Sequence, residues 1–217
     1  VKSHPKIRTL AAAAALFCYA ALALAGAYDD LIAAANRDDT AAVTALLQRG
    51  MDVNTVDTQG NTLLMIAARE HNQPLLEYLL TNKANVLKVN RFGDSAVMLA
   101  ALGGDLESVK LLVQFKADIN PQGWTPLMYA AFNGHVAVAS YLTEVGAKVD
   151  AQSASGLTTL MVAAKNGHFD VVGVLLKNNA DARKKDQFGL TAMDHAKKGG
   201  NTRIAESLGS YLGEEGH

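Results

Sequence analysis

One cysteine serves the whole chain, Cys18, and it falls inside an apolar N-terminal segment. No intramolecular disulfide can form, and the only thiol is expected to leave with that segment. A lipoprotein signal would want a small residue before the cysteine, and Phe17 is large. Aromatic residues are few, at 6% of a chain that is 49% apolar and rich in alanine. That composition argues against disorder and for helices packed through small side chains. Neither charge sign is in excess: the formal net charge of −1 lacks the basic balance of a nucleic-acid-binding protein. Enzymatic signatures are missing too. There is no phosphate-binding glycine loop and no Gly-x-Ser-x-Gly elbow. No two histidines stand at the i, i+4 spacing of helical zinc ligands.

The one long apolar run lies at the N-terminus, from Leu10 to Ala27, behind Lys2, Lys6 and Arg8. A positive head, an apolar stretch and small residues at Ala23-Leu24-Ala25 or Ala25-Gly26-Ala27 read as an export signal, residues 1–27, cleaved after Ala25 or Ala27. The competing reading is a membrane anchor. The run is alanine-rich and short against the ~20 residues that a spanning helix needs, so no stable anchor is expected after cleavage. Cleavage removes three positive charges and no negative ones, which takes the net charge from −1 to −4.

What is abundant is a repeat. Ala-Ala recurs at 34–35, 67–68, 100–101, 130–131 and 163–164, and Ala196-Lys197 follows, with spacings of 33, 33, 30, 33 and 33. A glycine precedes each later pair, at Gly60, Gly93, Gly123, Gly156 and Gly189. Two positions past each glycine stands Thr62, Ser95, Thr125, Thr158 or Thr191. That hydroxyl predicts an N-cap for a short helix. Pro126 follows its cap at the first helical position, where a missing N–H costs nothing. The alanine pair lets this helix approach its neighbours closely. A second helix is predicted by apolar residues at helical spacing, such as Leu76, Leu79 and Leu80. Gly50 and Gly146 stand where a helix ends with positive φ. Such a unit cannot bury its own apolar face and must stack.

The stretches "GWTPLMYAAFNGHVAV", "GLTTLMVAAKNGHFDVVGVLL" and "GLTAMDHAKKGGN" resemble ankyrin repeats, and the resemblance spans about residues 28–212. It implies an all-α solenoid of about six helix-turn-helix units with short hairpin fingers. The expected units are an N-cap unit at 28–56, internal units at 57–89, 90–119, 120–152 and 153–185, and a C-cap unit at 186–212. A disordered tail is expected at 213–217. The phase breaks once: Ala117 to Gly123 takes six steps where the other joints take nine, and Pro121 sits in what remains. The finger there is trimmed, either as a tolerated deletion or as a notch that opens the surface beside Trp124.

Ankyrin repeats usually carry histidine three residues after the capping Thr, where it can bond back to the cap. Here Met65, Met98, Met128 and Met161 take that place. Methionine is expected not to make the bond back, so another partner or water must serve the cap. Three roles compete for this ladder: packing, a soft-metal thioether site, and oxidant sensing or scavenging. Sulfurs in consecutive units, roughly 10 Å apart as packed helices are, cannot readily share one ion, so no metal and no cofactor is expected. His135 and His168 share one repeat position with an expected structural role, His71 stands one place earlier, and His195 is expected to be partly exposed.

The resemblance also places a binding face. Residues around the turn glycine and at the end of the first helix face the concave side. They include Phe92, Trp124, Leu157 and Phe188 near the glycines, and Arg69 and Phe132 after the alanine pairs. These six are the candidate protein-binding residues, with Trp124 and Phe132 as anchors. The alternative is that the aromatics beside the glycines pack on neighbouring fingers. The function implied is non-catalytic protein–protein binding by a monomer in the bacterial periplasm. Some small exported ankyrin proteins are linked to support of haem catalases against peroxide, so a catalase is one implied partner and oxidative-stress support the alternative function.

Overall fold

The computed structural model describes residues 26–214, and these form six helix pairs. α1 covers 26–36 and pairs with α2 (Thr40–Gln48). α3 (Leu63–Arg69) pairs with α4 (Gln73–Thr81), α5 (Ala96–Gly103) with α6 (Leu106–Gln114), and α7 (Pro126–Asn133) with α8 (Val136–Glu144). α9 (Thr159–Asn166) pairs with α10 (Phe169–Lys177), and α11 (Ala192–Lys198) with α12 (Thr202–Glu214). This is the expected all-α solenoid. Residues 1–25, with most of the expected export signal, Cys18 and His4, lie outside the described residues, as do 215–217 with His217. α12 runs to Glu214, two residues past the expected end of the repeat domain at 212.

The alanine pairs set the architecture. Ala67, Ala68, Ala100, Ala101, Ala130, Ala131, Ala163 and Ala164 are all buried, and they lie where α3, α5, α7 and α9 meet one another. The second helices bury larger side chains, among them Leu76, Leu79, Leu112, Leu142 and Leu175, and touch one another more sparsely. Helix separation follows the size of the side chains at the contact. An inner row spaced closely beside an outer row spaced widely bends the stack and makes the inner row its concave side.

The caps correct the reading of the methionines. Thr62, Thr125 and Thr158 each accept the N–H of the methionine three residues on, at 3.2, 3.2 and 3.3 Å. In three units the methionine also answers. Its sulfur accepts the cap residue's N–H from Thr62, Ser95 and Thr158 at 3.4, 3.2 and 3.4 Å. A thioether is a weak acceptor, but it is the acceptor these buried amides have. At Thr125 only the forward bond forms among the described residues. At Ser95 only the return bond forms, and Ser95 Oγ lies buried without a partner. The last unit uses a stronger version of the same device: Thr191 N–H donates to Asp194 Oδ2 at 2.9 Å.

Polar plugs hold consecutive units in register. His135 Nε2 lies 2.9 Å from Leu102 O, and His168 Nε2 lies 2.9 Å from Phe132 O. Each ring satisfies a carbonyl at the end of the preceding unit's first helix, the structural role expected of these histidines. Gly104 and Gly134 have φ of +75° and +77°, and a Cβ on either would sit 2.4 Å from the next unit's His ring. In the last unit Asn201 replaces the histidine and donates to Ala164 O and Lys165 O.

His195 departs from expectation. It is buried, at 7% exposure, and not partly exposed. Its Nε2 lies 2.9 Å from Asp186 Oδ2, so one unit's helix and finger are locked together. Burial works to raise the Asp186 pKa. The N–H of Leu190, the His195 ring and the N–H of Phe188 outweigh it and hold the carboxyl below its ordinary value of 3.8.

Two outcomes follow from these contacts. Met65→Leu removes the acceptor of a buried amide and should cost about 1 kcal/mol more than Met128→Leu, where no return bond is lost. Urea unfolding of both variants measures the gap, and equal costs would show that the sulfur bonds carry no energy. Asp186→Asn keeps a side-chain acceptor for the turn, as Asn90 does in its own finger. A carboxylate whose folded pKa is depressed contributes stability above its unfolded pKa and loses it as pH falls through the folded value. The variant should therefore melt below the parent at pH 7, and the difference should close as pH drops below 3.8. A gap that stays constant with pH would contradict this.

Candidate protein-binding site

The hairpin fingers frame the concave face, and four of them share one design. At 57–61, 90–94, 153–157 and 186–190 the opening residue donates its N–H to the closing carbonyl. Asp57 pairs with Asn61, Asn90 with Asp94, Ser153 with Leu157 and Asp186 with Leu190, at 2.9–3.0 Å. Isolated antiparallel bridges extend three of them, at Val56–Thr62, Val89–Ser95 and Gln152–Thr158.

The finger at 120–124 departs from this design. Asn120 Oδ1 accepts the N–H of Lys148 at 2.7 Å, as Asn54 Oδ1 accepts that of Asn85 at 2.7 Å. Asn120 therefore holds the place of Asn54, at the base of the finger, and the chain passes directly to Pro121. The three residues matching Lys88–Asn90 are the ones missing, and with them goes the residue that opens each regular turn. Gly123 still turns the chain, with φ of +88°.

Trp124 emerges from this shortened finger just before the Thr125 cap. α7 places Tyr129 and Phe132 three residues apart, hence on one helix face. The Trp124 and Tyr129 ring centroids are 5.3 Å apart at 55°, and those of Trp124 and Phe132 are 6.0 Å apart at 70°. Such tilted and edge-on pairs are favourable beyond their burial. The Tyr129 hydroxyl donates to Asp94 Oδ1. Burial, then the Asp94 carboxylate, push the phenol above its ordinary value, so Tyr129 stays a donor.

Two hollows flank this cluster. One, of about 270 Å³, is lined by Leu102, Trp124, Tyr129 and Phe132. The other, of about 90 Å³, is lined by Trp124, Phe132, Leu157, Met161, Val162, Lys165 and Asn166. Both fall below the ~300–1,000 Å³ of small-molecule sites. Each suits a side chain.

The structure thus brings Trp124, Phe132 and Leu157 together and leaves three candidates apart. Phe92 and Phe188 project from fingertips at 73% and 76% exposure and line neither hollow. Arg69 is held by Glu70 Oε1 and by Asn36 Oδ1, each at 2.8 Å, and lines neither hollow. Tyr129 is the residue that sequence reasoning missed. The signal was there: the place before the alanine pair holds Ile66, Leu99 and Val162 in other units, and tyrosine alone adds a hydroxyl. Among the described residues no group of three or more His, Cys, Asp or Glu could hold a metal ion, and no helix is long and apolar enough to cross a membrane.

Comparison with known proteins agrees with this architecture. A family model described as ankyrin repeats in three copies matches residues 27–90 and 82–153, and one described as ankyrin repeats in many copies matches residues 143–196. The chain is 41% identical over 91 residues to the Notch-regulated ankyrin repeat-containing protein of Homo sapiens, covering 39% of this chain and 80% of that one. It is 39% identical over 82 residues to protein phosphatase 1 regulatory subunit 27 of Homo sapiens, covering 36% and 53%. It is 32% identical over 115 residues to a putative ankyrin repeat protein of Rickettsia bellii, covering 48% and 32%. The chain thus spans about half of the phosphatase subunit and a third of the Rickettsia protein. Repeats of this kind serve protein–protein interaction, and the fold is generally a non-enzymatic module. With its six stacked helix pairs, its capped inner helices and matches along most of its length, this chain belongs to the ankyrin repeat family.

Proposed function

We propose that this protein is a non-catalytic binding module that takes a protein partner on its concave face, at the cluster of Trp124, Tyr129 and Phe132. The observation that carries the reading is the aromatic ridge between two apolar hollows, with Trp124 and Tyr129 half-buried and Phe132 exposed. Phe132 is 45% exposed in the last turn of α7, where Pro126, Leu127, Met128, Ala130 and Ala131 are buried. Apolar hollows around aromatic anchors typify the energetic centre of an interface. Rigid neighbours hold the rings in place, so docking costs little side-chain entropy.

The N-terminal segment supports export to a bacterial periplasm, and a periplasmic enzyme such as a catalase is the partner class we carry forward. Methionine-based oxidant or metal handling gains no support: Met65, Met98, Met128 and Met161 are buried, and three of their sulfurs serve caps.

The test is affinity capture from a periplasmic extract of the source organism. The bait is the mature chain, beside its Trp124→Ala, Phe132→Ala variant, with calorimetry on any purified protein retained. Loss of the two anchors should cost about 2 kcal/mol or more, at least ~30-fold in affinity. Equal binding by both baits would place the interface elsewhere.

A further inference from the structure

Neighbouring fingers in the stack are joined through their backbones. Arg91 N–H donates to Gln59 O, and Gln187 N–H donates to Ser155 O, both at 3.1 Å. Counted back from the turn glycine, the residue that should donate from the shortened finger is Pro121, which has no N–H. The acceptor waiting for it is Phe92 O. At the next joint, the matching donor is the N–H of Ala154, and the shortened finger brings no carbonyl to it. Trp124 O likewise lacks the N–H that reaches Asn61, Asp94, Leu157 and Leu190 in the regular turns. Among the described residues none of these three backbone groups has a hydrogen-bond partner.

The result is a gap in an otherwise continuous ladder of fingers. One wall carries Asp94, bonded to Tyr129, and the other carries Leu157, which lines the smaller hollow. Polar backbone edges therefore stand beside an apolar floor. A folded convex surface could cover the floor, but it would leave the edge groups without partners. An extended chain satisfies both, because its N–H and C=O groups alternate along its edges while its side chains project from its faces.

We infer that the partner fills this gap with an extended peptide segment, whose backbone completes the interrupted ladder at Phe92 O, Trp124 O and Ala154 N–H. The inference rests on the reading that this face binds protein. Side chains two positions apart point the same way and stand ~7 Å apart. Such same-face side chains can set one apolar group in each hollow, on either side of the ridge of Trp124 and Phe132. Lys165 is exposed at the rim of the smaller hollow, with no carboxylate partner among the described residues. The segment therefore carries a carboxylate near its second apolar side chain, from an acidic residue or from a chain terminus. Main-chain pairing supplies the affinity and the two hollows the specificity, as in other strand-addition sites.

A phage-displayed library of random octapeptides, panned against the mature chain, tests this. The enriched peptides should share two large apolar residues an even number of positions apart, hence on one strand face, and an acidic group beside the second. The best of them is then synthesised and titrated. N-methylation of single peptide amides should weaken binding at least ~10-fold at alternate positions, the signature of a backbone edge. Restoring the finger, with Pro121→Arg and lysine, valine and asparagine inserted after Asn120, should fill the gap and abolish binding, with circular dichroism reporting an intact fold. Lys165→Glu should shift preference to basic peptides, and C-terminal amidation separates an acidic side chain from a terminal carboxylate. Affinity indifferent to every N-methylation overturns the inference even if the restored finger misfolds. So does a failure to enrich any such pattern. If whole-protein capture remains sensitive to Trp124 and Phe132 in that case, the site stands and its partner is folded. If capture is insensitive too, the site reading falls with the inference.

Discussion

Close contact between inner helices is the constraint from which the rest of the structure follows. A pair of helices of about nine residues cannot bury its own apolar face, so stability comes from the neighbour. The alanine pairs at 67–68, 100–101, 130–131 and 163–164 fix how near that neighbour stands. Larger side chains at these points would push the inner row apart and flatten the concave side. The polar joints depend on the same closeness. His135 and His168 reach the preceding carbonyls only because Gly104 and Gly134 leave room for the rings.

Against that regular frame, the shortened finger is the one place where the stack is interrupted. Fingers on either side pair with their outer neighbours, and the middle one does not. Beside the shortened finger stand tryptophan, tyrosine and phenylalanine, the first two half-buried and the third exposed. A contiguous apolar patch at a protein surface marks an interaction site. The concentration of these rings at the interruption ties the irregularity in length to the binding face.

Legibility from sequence varied with the range of the interaction. The N-caps, the inner alanine pairs and the helix-ending glycines could be read from local pattern, because a cap or a turn is decided within a few residues. The methionine caps could not, because a sulfur's service as an acceptor depends on a cap amide left with no better partner. His195 was misjudged for a similar reason. Its neighbours Lys197 and Lys198 suggest a solvent-facing helix, while its partner Asp186 lies in a finger nine residues back and is itself buried. Of the candidate binding residues, Trp124, Phe132 and Leu157 converge and Phe92, Phe188 and Arg69 do not, since repeat position gives the face but not the distance along it.

The sequence by itself determined the repeat phase, the number of units and which finger lacks three residues, and its repeated stretches carried the resemblance to the ankyrin family. These are periodic properties, and a spacing of 33 residues, broken once at 30, holds over most of the chain. Only the tertiary structure decided which residues were lost from the finger, which rings touch, and that Tyr129 completes the site through Asp94. Those outcomes depend on rings meeting at 5.3 and 6.0 Å and on hydrogen bonds between residues 28 and 35 positions apart, and a linear pattern carries no such distance.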